Sequence, residues 1–300
     1  LQSYYIQSED YDEFLKEYTK AIKNGEKIHI TEKHKQISPI LLDFDFRYNV
    51  SESNNNRLYT NETIKKIISI YTGLLNTYID AKDYDVYVLE KKNPSLVNET
   101  TGKDGIHIVI PEVVTQPNLQ YILRNKCLEL VEPIFKELNF TNSVEDIFDE
   151  CVIEKNNWLM YGSSKPDKEP YKVTKVFNVN QDDIKEVKSD KKIKELIKLF
   201  SIRNKKKEIK IKFEKSKELE DYANIMNEKE REELTYKQIF KKTKNNKKNE
   251  NIDIDLIRKF VKILNPQRSD NFDSWIKLGW CLRNIDYRLL DEWIEFSKKS

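Results

Sequence analysis

The chain of 300 residues contains few cysteines and few histidines, three of each. Cys127, Cys151 and Cys281 are far apart and form no CxxC pair, which argues against both a disulfide framework and a cysteine zinc site. Cysteines used in this way are typical of a reducing compartment, so we expect an intracellular protein. Three histidines are too few for a histidine-rich metal centre.

Long apolar runs are also missing. No run approaches the roughly 18–20 apolar residues that cross a bilayer, and no secretory signal opens the sequence, so we expect no membrane partner. The motifs GxxxxGK[ST], GxGxxG, GxSxG and HExxH are all absent, which excludes a P-loop ATP motor. The sequence starts with Leu1 and stops at Ser300 within a helical pattern, and we expect a piece cut from a longer protein.

Residues that can build a core are nevertheless present: 38% are hydrophobic and 11% aromatic. Strand-like segments such as 40–46, 85–91 and 105–111 alternate with helical patterns in a mixed order. This order predicts an α/β or α+β catalytic-type domain over residues 1–200.

The rest of the chain differs in composition. Residues 201–249 carry 16 Lys or Arg against 9 Asp or Glu, and 241–249 contain no acid. We predict a charged linker over 201–250, either simply solvated or forming a basic strip that touches nucleic-acid phosphates. Residues 251–300 show no strand signal and predict a small all-helical domain, incomplete at its end. Its expected core is Trp275, Leu278, Trp280, Leu282, Leu290, Trp293 and Phe296.

Two aspartates interrupt the apolar strand "LLDFDFRYNV", residues 41–50. Asp43 and Asp45 alternate with phenylalanines, so both carboxylates project from one face, with Cα atoms roughly 6.5 Å apart. One interpretation is a half-exposed strand with an acidic outer face. The other is a site for Mg²⁺ or Mn²⁺, because paired carboxylates on a central strand are costly without a cation and oxygen ligands suit these metals.

A second segment, "GKDGIHIVIP" at 102–111, places His107 on a strand and Lys103 in a glycine-flanked loop that could hold a phosphate. A histidine on a strand is more often an ordinary core or surface residue than a catalytic one. A third segment, 147–166, places Asp149 in what reads as an apolar strand, followed by the loop "GSSKP". Ser163 and Lys165 in that loop suit a triphosphate, although a plain turn would have the same composition.

Taken in order, the DFD pair, the G-I-H strand, and the aspartate followed by SSK resemble the archaeo-eukaryotic primase superfamily over residues 1–180. "HITEKH", "LLDFDFRY" and "WLMYGSSKP" are similar to the primase half of the primase-helicases of nucleocytoplasmic large DNA viruses, especially the giant-virus members. "SWIKLGWCLRN" and "LLDEWIEFSKKS" resemble the small helical domain that follows such primases.

The resemblance implies an α+β fold with mixed sheets, helices and an RRM-like catalytic unit, followed by the small all-α domain. It implies a primase or primase-polymerase that makes short primers on a single-stranded DNA template from NTPs or dNTPs. A helicase domain would follow in the full-length chain. If the protein is viral, its place would be a cytoplasmic replication factory or the host nucleus.

The resemblance also assigns roles. Asp43, Asp45 and Asp149 would be the catalytic carboxylates of a two-metal site for Mg²⁺ or Mn²⁺. The nucleotide-binding residues would be His107, Lys103, Ser163 and Lys165, together with Arg47.

Two departures from the family pattern stand out. Relatives often carry an arginine shortly before SSK, where this chain has Asn157, Trp158 and Leu159, and Arg47 or Lys33 are candidates to replace it. Many relatives also have serine where this chain has Gly105. Two other functions remain open: a metal-dependent nuclease, which needs no triphosphate-binding loop, and a non-catalytic nucleic-acid-binding module.

Overall fold

The computed structural model describes residues 3–50, 56–81, 83–181, 183–203, 207–226, 228 and 253–298. The chain divides into two compact units, with the boundary between residues 227 and 228. Over the described ranges, none of the helices combines the length and the apolar character that a membrane span requires.

The first unit mixes strands and helices. Its described strands are β1 (Thr31–Glu32), β2 (Ser38–Asn49), β3 (Asp83–Glu90), β4 (Ser95–Leu96), β5 (Thr101–Thr115), β6 (Trp158–Leu159), β7 (Lys172–Asn180) and β8 (Asp183–Val187). Its described helices are α1 (Tyr11–Lys23), α2 (Asn61–Asn76), α3 (Pro117–Glu137), α4 (Val144–Ile147), α5 (Ile193–Phe200) and α6 (213–226).

One antiparallel sheet organises this unit. Its strand order is β2-β5-β3-β7-β8, with β4 paired to the start of β5, while β1 and β6 form a separate two-stranded sheet. The longest ladder joins β2 to β5 and runs from the pair Ser38–Thr115 to the pair Asn49–Thr101. The residues of these strands alternate between the two faces of the sheet, which is the geometry of any β-strand.

The two faces of the sheet bury different clusters. The larger core takes Ile40, Leu42, Phe44 and Phe46 of β2 together with side chains of α2 and α3. The opposite face carries a smaller cluster, which includes Leu41 of β2 and Phe200 of α5. The β2 strand is therefore covered by apolar residues on one side, while its other side is only partly covered and includes Asp43 and Asp45.

The first unit extends beyond the predicted boundary at residue 200. In the segment predicted to be a linker, the Ile209 amide donates to the Val114 carbonyl (2.8 Å), and Ile211 forms a bridge with Ile79. Leu219 of α6 belongs to the main core. The linker prediction is therefore wrong for residues 207–226, because Ile209 and Ile211 pair with the backbone of the first unit and Leu219 packs in its core. The basic run at 241–249 lies outside the described residues.

The second unit is helical over its described residues, which agrees with the prediction from sequence. Its helices are α7 (Ile254–Ile263), α8 (Gln267–Asp270), α9 (Phe272–Ile285), a 3-10 turn (Tyr287–Leu289) and α10 (Leu290–Ser297). The rings of Trp275 and Trp293 stack with centroids 4.7 Å apart. Gly279 makes room for this pair, since a Cβ there would lie 2.6 Å from the Trp293 ring.

The core of this unit is smaller than predicted. Its buried centre consists of Val261, Leu282, Leu289 and Phe296. Trp280 is 59% exposed and Leu290 is 55% exposed, so both were wrongly assigned to the core. With these corrections the fold is α+β followed by a helical unit, and the predicted fold class is confirmed.

We expect Leu219→Ala to destabilise the first unit by about 2–3 kcal/mol, because the leucine fills part of the main core. The matched control on the same helix is Phe213→Ala, which removes a side chain that is 92% exposed and should change stability by less than about 0.5 kcal/mol. Chemical denaturation of both variants measures the difference. Equal effects would show that α6 does not belong to the folded unit.

Candidate active site

The register between β2 and β5 brings the acidic pair to the predicted histidine strand. Asp43 pairs with His107 and Asp45 pairs with Gly105. Residues directly opposite in an antiparallel pair project to the same face. The carboxylates and the imidazole therefore share one side of the sheet. The alternation of Asp43 and Asp45 predicted the shared face of the two carboxylates, and the register adds the imidazole.

Asp149 reaches this face by a different route from the predicted strand. Residues 144–147 form the short helix α4, and Phe148 makes a single antiparallel bridge with Phe44 before the chain turns. The two rings lie 4.5 Å apart in the core, and the Asp149 amide donates to the Asp43 carbonyl (3.0 Å). Buried Arg124 fixes the segment because its Nε and Nη2 donate to the Phe148 carbonyl (2.9 and 2.7 Å).

Asp43 is the most confined of the three carboxylates. Its Oδ1 is buried without a hydrogen-bond partner among the described residues, and His107 Nε2 lies 3.4 Å from it without donating a hydrogen bond. Burial and the charges of Asp45 and Asp149 raise the pKa of Asp43 to about 8. A buried carboxylate without a hydrogen-bond donor destabilises the fold when it is charged, and a bound cation removes this cost.

Lysines face the acidic group. Lys103 Nζ lies 2.8 Å from Asp45 Oδ2, and the charges of Lys103 and Lys165 act against the rise in the Asp43 pKa. Lys91, which sequence analysis did not identify, belongs to the same group, because its charge and those of Lys103 and Lys165 all lower the His107 pKa. Burial and the neighbouring lysines lower the Lys91 pKa in turn. Positive charges held this close favour an anionic ligand.

His107 is held between two aromatic rings. Its ring stacks on Tyr171 with centroids 3.6 Å apart and an interplanar angle of 20°, and Trp158 lies at 4.7 Å. Burial and the nearby lysines lower the pKa of His107 to about 3, so the imidazole is neutral at physiological pH. It can accept or donate one hydrogen bond and brings no positive charge.

Two other predicted nucleotide-binding residues, Ser163 and Arg47, differ from each other in exposure: Ser163 is buried and Arg47 is exposed. The Ser163 hydroxyl is buried and engaged: it lies 2.9 Å from the Tyr18 hydroxyl and accepts from the Ile30 amide (3.1 Å). This serine fixes the loop that carries Lys165. Arg47 is exposed on the β2 face of the two aspartates, opposite Lys103 in the ladder.

Gly105 is required by its surroundings. A Cβ at this position would lie 2.8 Å from the Phe44 carbonyl oxygen and 2.9 Å from the Tyr171 hydroxyl oxygen. The serine of the family pattern has no room here, because the Tyr171 hydroxyl already occupies that space. No sequence signal distinguished Tyr171 or Lys91 from the other aromatic and basic residues at strand ends.

The carboxylate oxygens of this site are suitable ligands for a hard divalent cation, although the side chains do not converge on a single point. Over the described ranges, no three His, Cys, Asp or Glu side chains form a ready-made metal site. Asp43 and Asp45 nevertheless offer carboxylate oxygens on one face, one of them without a partner, which is the ligand type that Mg²⁺ and Mn²⁺ prefer. In the present arrangement Lys103 neutralises Asp45 instead.

Fold and site together define a primase-type domain followed by a helical domain. The chain belongs to the archaeo-eukaryotic primase (AEP) superfamily: residues 2–177 match the family model described as the C962R protein N-terminal AEP domain. Residues 257–300 match the model of the Primase C terminal 2 domain (PriCT-2). The predicted family is thereby confirmed.

Similar proteins come from three viruses. The chain is 31% identical to a putative helicase, L207/L206, of Acanthamoeba polyphaga mimivirus, over 99% of this chain and 33% of that protein. It is 28% identical to putative helicase 184R of Invertebrate iridescent virus 6, over 61% of this chain and 21% of that protein. It is 25% identical to putative helicase 121R of Invertebrate iridescent virus 3, over 99% and 34%. The chain thus spans about a third or less of these relatives' lengths.

Asp43→Asn should stabilise the protein when divalent ions are removed, because it takes one negative charge out of a buried acidic group. The folded pKa of Asp43 is raised to about 8 from the roughly 4 of an unfolded aspartate, so its charge costs stability as the pH rises between these values. We expect the variant's advantage to grow from pH 5 to pH 8.5 and to reach at least about 2–4 °C in Tm.

The matched control is Asp183→Asn, which neutralises an exposed carboxylate of β8 and should leave the pH profile of Tm close to that of the wild type. Adding Mg²⁺ or Mn²⁺ should raise the Tm of the wild type more than that of Asp43→Asn, because a bound cation compensates the same charge. Parallel pH profiles for the wild type and Asp43→Asn would contradict the burial argument.

Proposed function

We propose that this chain is the primase part of a viral primase-helicase and that it synthesises short oligonucleotide primers on single-stranded DNA from nucleoside triphosphates. The observation that carries the proposal is the juxtaposition of Asp43, Asp45 and Asp149 with a group of lysines on one partly open face of the sheet. Carboxylates that gather cations beside lysines that attract phosphate are what nucleotidyl transfer requires.

The proposed cofactor is Mg²⁺ or Mn²⁺, held by Asp43 and Asp45 with Asp149 alongside. When bound, such ions lower the pKa of a nucleotide 3′-hydroxyl and neutralise the departing pyrophosphate in an in-line displacement. The unpartnered Oδ1 of Asp43 supports this assignment because it marks a buried acceptor for which the described residues supply no donor.

The chain's own side chains would position the nucleotide. Lys103 and Lys165 supply the charge that holds a triphosphate, and exposed Arg47 extends this positive surface along β2. His107, neutral and fixed by its aromatic neighbours, would form a hydrogen bond to the nucleotide. Ser163 would not contact the nucleotide itself. It would position Lys165 by holding the loop of that lysine against α1 and against the chain before β1.

The proposed partners follow from the relatives. All three are described as putative helicases and are about three times longer than this chain or more, so we propose that a helicase domain follows the PriCT-2 region in the full-length protein. The template would be single-stranded DNA exposed by that helicase. A site of viral DNA replication in the host cell, whether a cytoplasmic factory or the nucleus, would then be its location.

De novo synthesis on a single-stranded DNA template tests the proposal. With labelled NTPs or dNTPs and Mg²⁺ or Mn²⁺, we expect short oligonucleotides from the wild type. Asp43→Ala/Asp45→Ala should lower the yield at least a hundredfold, since loss of direct ligands exceeds the roughly 10–100-fold effect of changes around them. The matched control, Asp12→Ala/Asp183→Ala, removes two exposed carboxylates and should leave synthesis unchanged.

The alternatives give different results in the same assay. A metal-dependent nuclease would cut the template without any nucleotide, and the double variant at positions 43 and 45 would abolish the cutting. A non-catalytic module would show neither product nor divalent-dependent binding of nucleotide. Either result would overturn the primase proposal.

A further inference from the structure

Two side chains outside the predicted site lie against it from the neighbouring strands. Lys91 follows β3 and Tyr171 precedes β7, and the ladder that joins these strands ends at the pair Glu90–Lys172. Lys91 and Tyr171 each lie one residue beyond this last pair, and Lys91 Nζ lies 4.8 Å from the centroid of the Tyr171 ring. The last pair of the ladder therefore brings this lysine and this ring close together.

The Tyr171 hydroxyl is aimed at the acidic pair. Its oxygen lies 2.9 Å from the position that a Cβ of Gly105 would take, and that position is 3.4 Å from Asp45 Oδ1. The ring is fixed by its stacking on His107. None of the described residues forms a hydrogen bond with this hydroxyl, so a rigidly held donor faces the site without a protein acceptor.

The backbone of Lys91 is fixed as well. Arg57 Nη2 donates to the Lys91 carbonyl (2.8 Å), while the same guanidinium pairs with Glu90 and Asp104, both of which are buried. Asp104 in turn lies between Lys103 and Gly105 on β5. The end of β3 and the start of β5 are thus tied together behind the site, and Lys91 is held beside the other lysines at a fixed position.

We infer that Lys91 and Tyr171 form a phosphate-binding pair that contacts the triphosphate of the incoming nucleotide, the ammonium supplying charge and the phenol donating a hydrogen bond. The inference rests on the proposed function and extends it to two residues, one directly after β3 and one directly before β7. Gly105 has a specific part in this arrangement, because its missing side chain leaves the space in which the Tyr171 hydroxyl lies. A purely structural alternative is that Lys91 only covers the ring.

Equilibrium binding of a labelled nucleoside triphosphate in the presence of Mn²⁺ tests the pair. Lys91→Met keeps most of the aliphatic stem over the ring, and Tyr171→Phe keeps the ring on His107, so each variant removes only the polar group. We expect each to weaken triphosphate binding about tenfold or more, as loss of a hydrogen bond to a charged group does, with Tm unchanged. Binding of the corresponding nucleoside monophosphate should change much less.

The matched controls are Lys92→Met, at the exposed neighbouring position, and Tyr84→Phe, whose hydroxyl donates to Asn76 away from the site. Both should bind triphosphate like the wild type. Unchanged affinity in Lys91→Met and Tyr171→Phe would overturn the pair while leaving the proposed function intact. A fall in Tm with the loss of binding would assign the two residues a structural role and overturn it too. If the wild type binds no triphosphate, the proposed function fails, and the pair fails with it.

Discussion

The structure depends on keeping three carboxylates together on a partly buried sheet face. Asp43, Asp45 and Asp149 repel one another, and burial makes the repulsion stronger than it would be in water. A protein tolerates such a group only when the rest of the fold is stable enough to hold it and when positive charge is close. Here Lys103 pairs with Asp45, and the charge of Lys165 acts on Asp43.

The main core holds the acidic group in place through strict alternation on β2. Phe44 lies between the two aspartates and projects into the core, where it meets Phe148 and, through the bridge, brings Asp149 beside Asp43. A slip of one residue in the pairing of β2 would send the aspartates into the core and the phenylalanines to the site, so the register is strongly specified. Arg124 completes the arrangement by binding the Phe148 carbonyl from α3.

Period-two alternation explains why part of the site could be predicted from the sequence. It predicted that Asp43 and Asp45 share a face, and the histidine strand beside them followed from its own apolar pattern. Asp149 was identified but placed in a strand, because "IFDECVI" is apolar enough for one, while α4 and a single bridge form there instead. The position of Asp149 is set by the contacts of its neighbour Phe148 with Phe44 and Arg124, which are distant in sequence.

Other features depend on contacts that leave no local pattern. Ser163 was predicted to bind phosphate from the composition of its loop. Only the packing of Tyr18 of α1 shows that the Ser163 hydroxyl is already hydrogen-bonded within the protein. Lys91 and Tyr171 follow or precede strands in ordinary sequence, so their convergence on the site becomes visible only through the β3–β7 register. The packing of α6 was missed because its high charge masked the apolar residues, including Leu219, on its buried side.

Charge balance connects the resting site to its proposed substrate. Three lysines, Lys91, Lys103 and Lys165, lie near the three carboxylates. Because the pKa of Asp43 is raised to about 8, this carboxyl is mostly protonated at neutral pH, and the group carries about one positive charge without any ligand. Under the proposed function, a nucleoside triphosphate would add about four negative charges and two divalent cations would offset them, so the complete assembly would be close to neutral once a cation had displaced the Asp43 proton. Lys103 forms an ion pair with Asp45 in the absence of a ligand. Under the proposed function, a divalent cation at Asp45 would take the place of this ammonium, and Lys103 would then be available to the phosphates of the nucleotide. An arginine, whose fork binds a carboxylate through two parallel hydrogen bonds, would hold Asp45 more firmly and leave it less readily, which gives a physical reason for a lysine at this position.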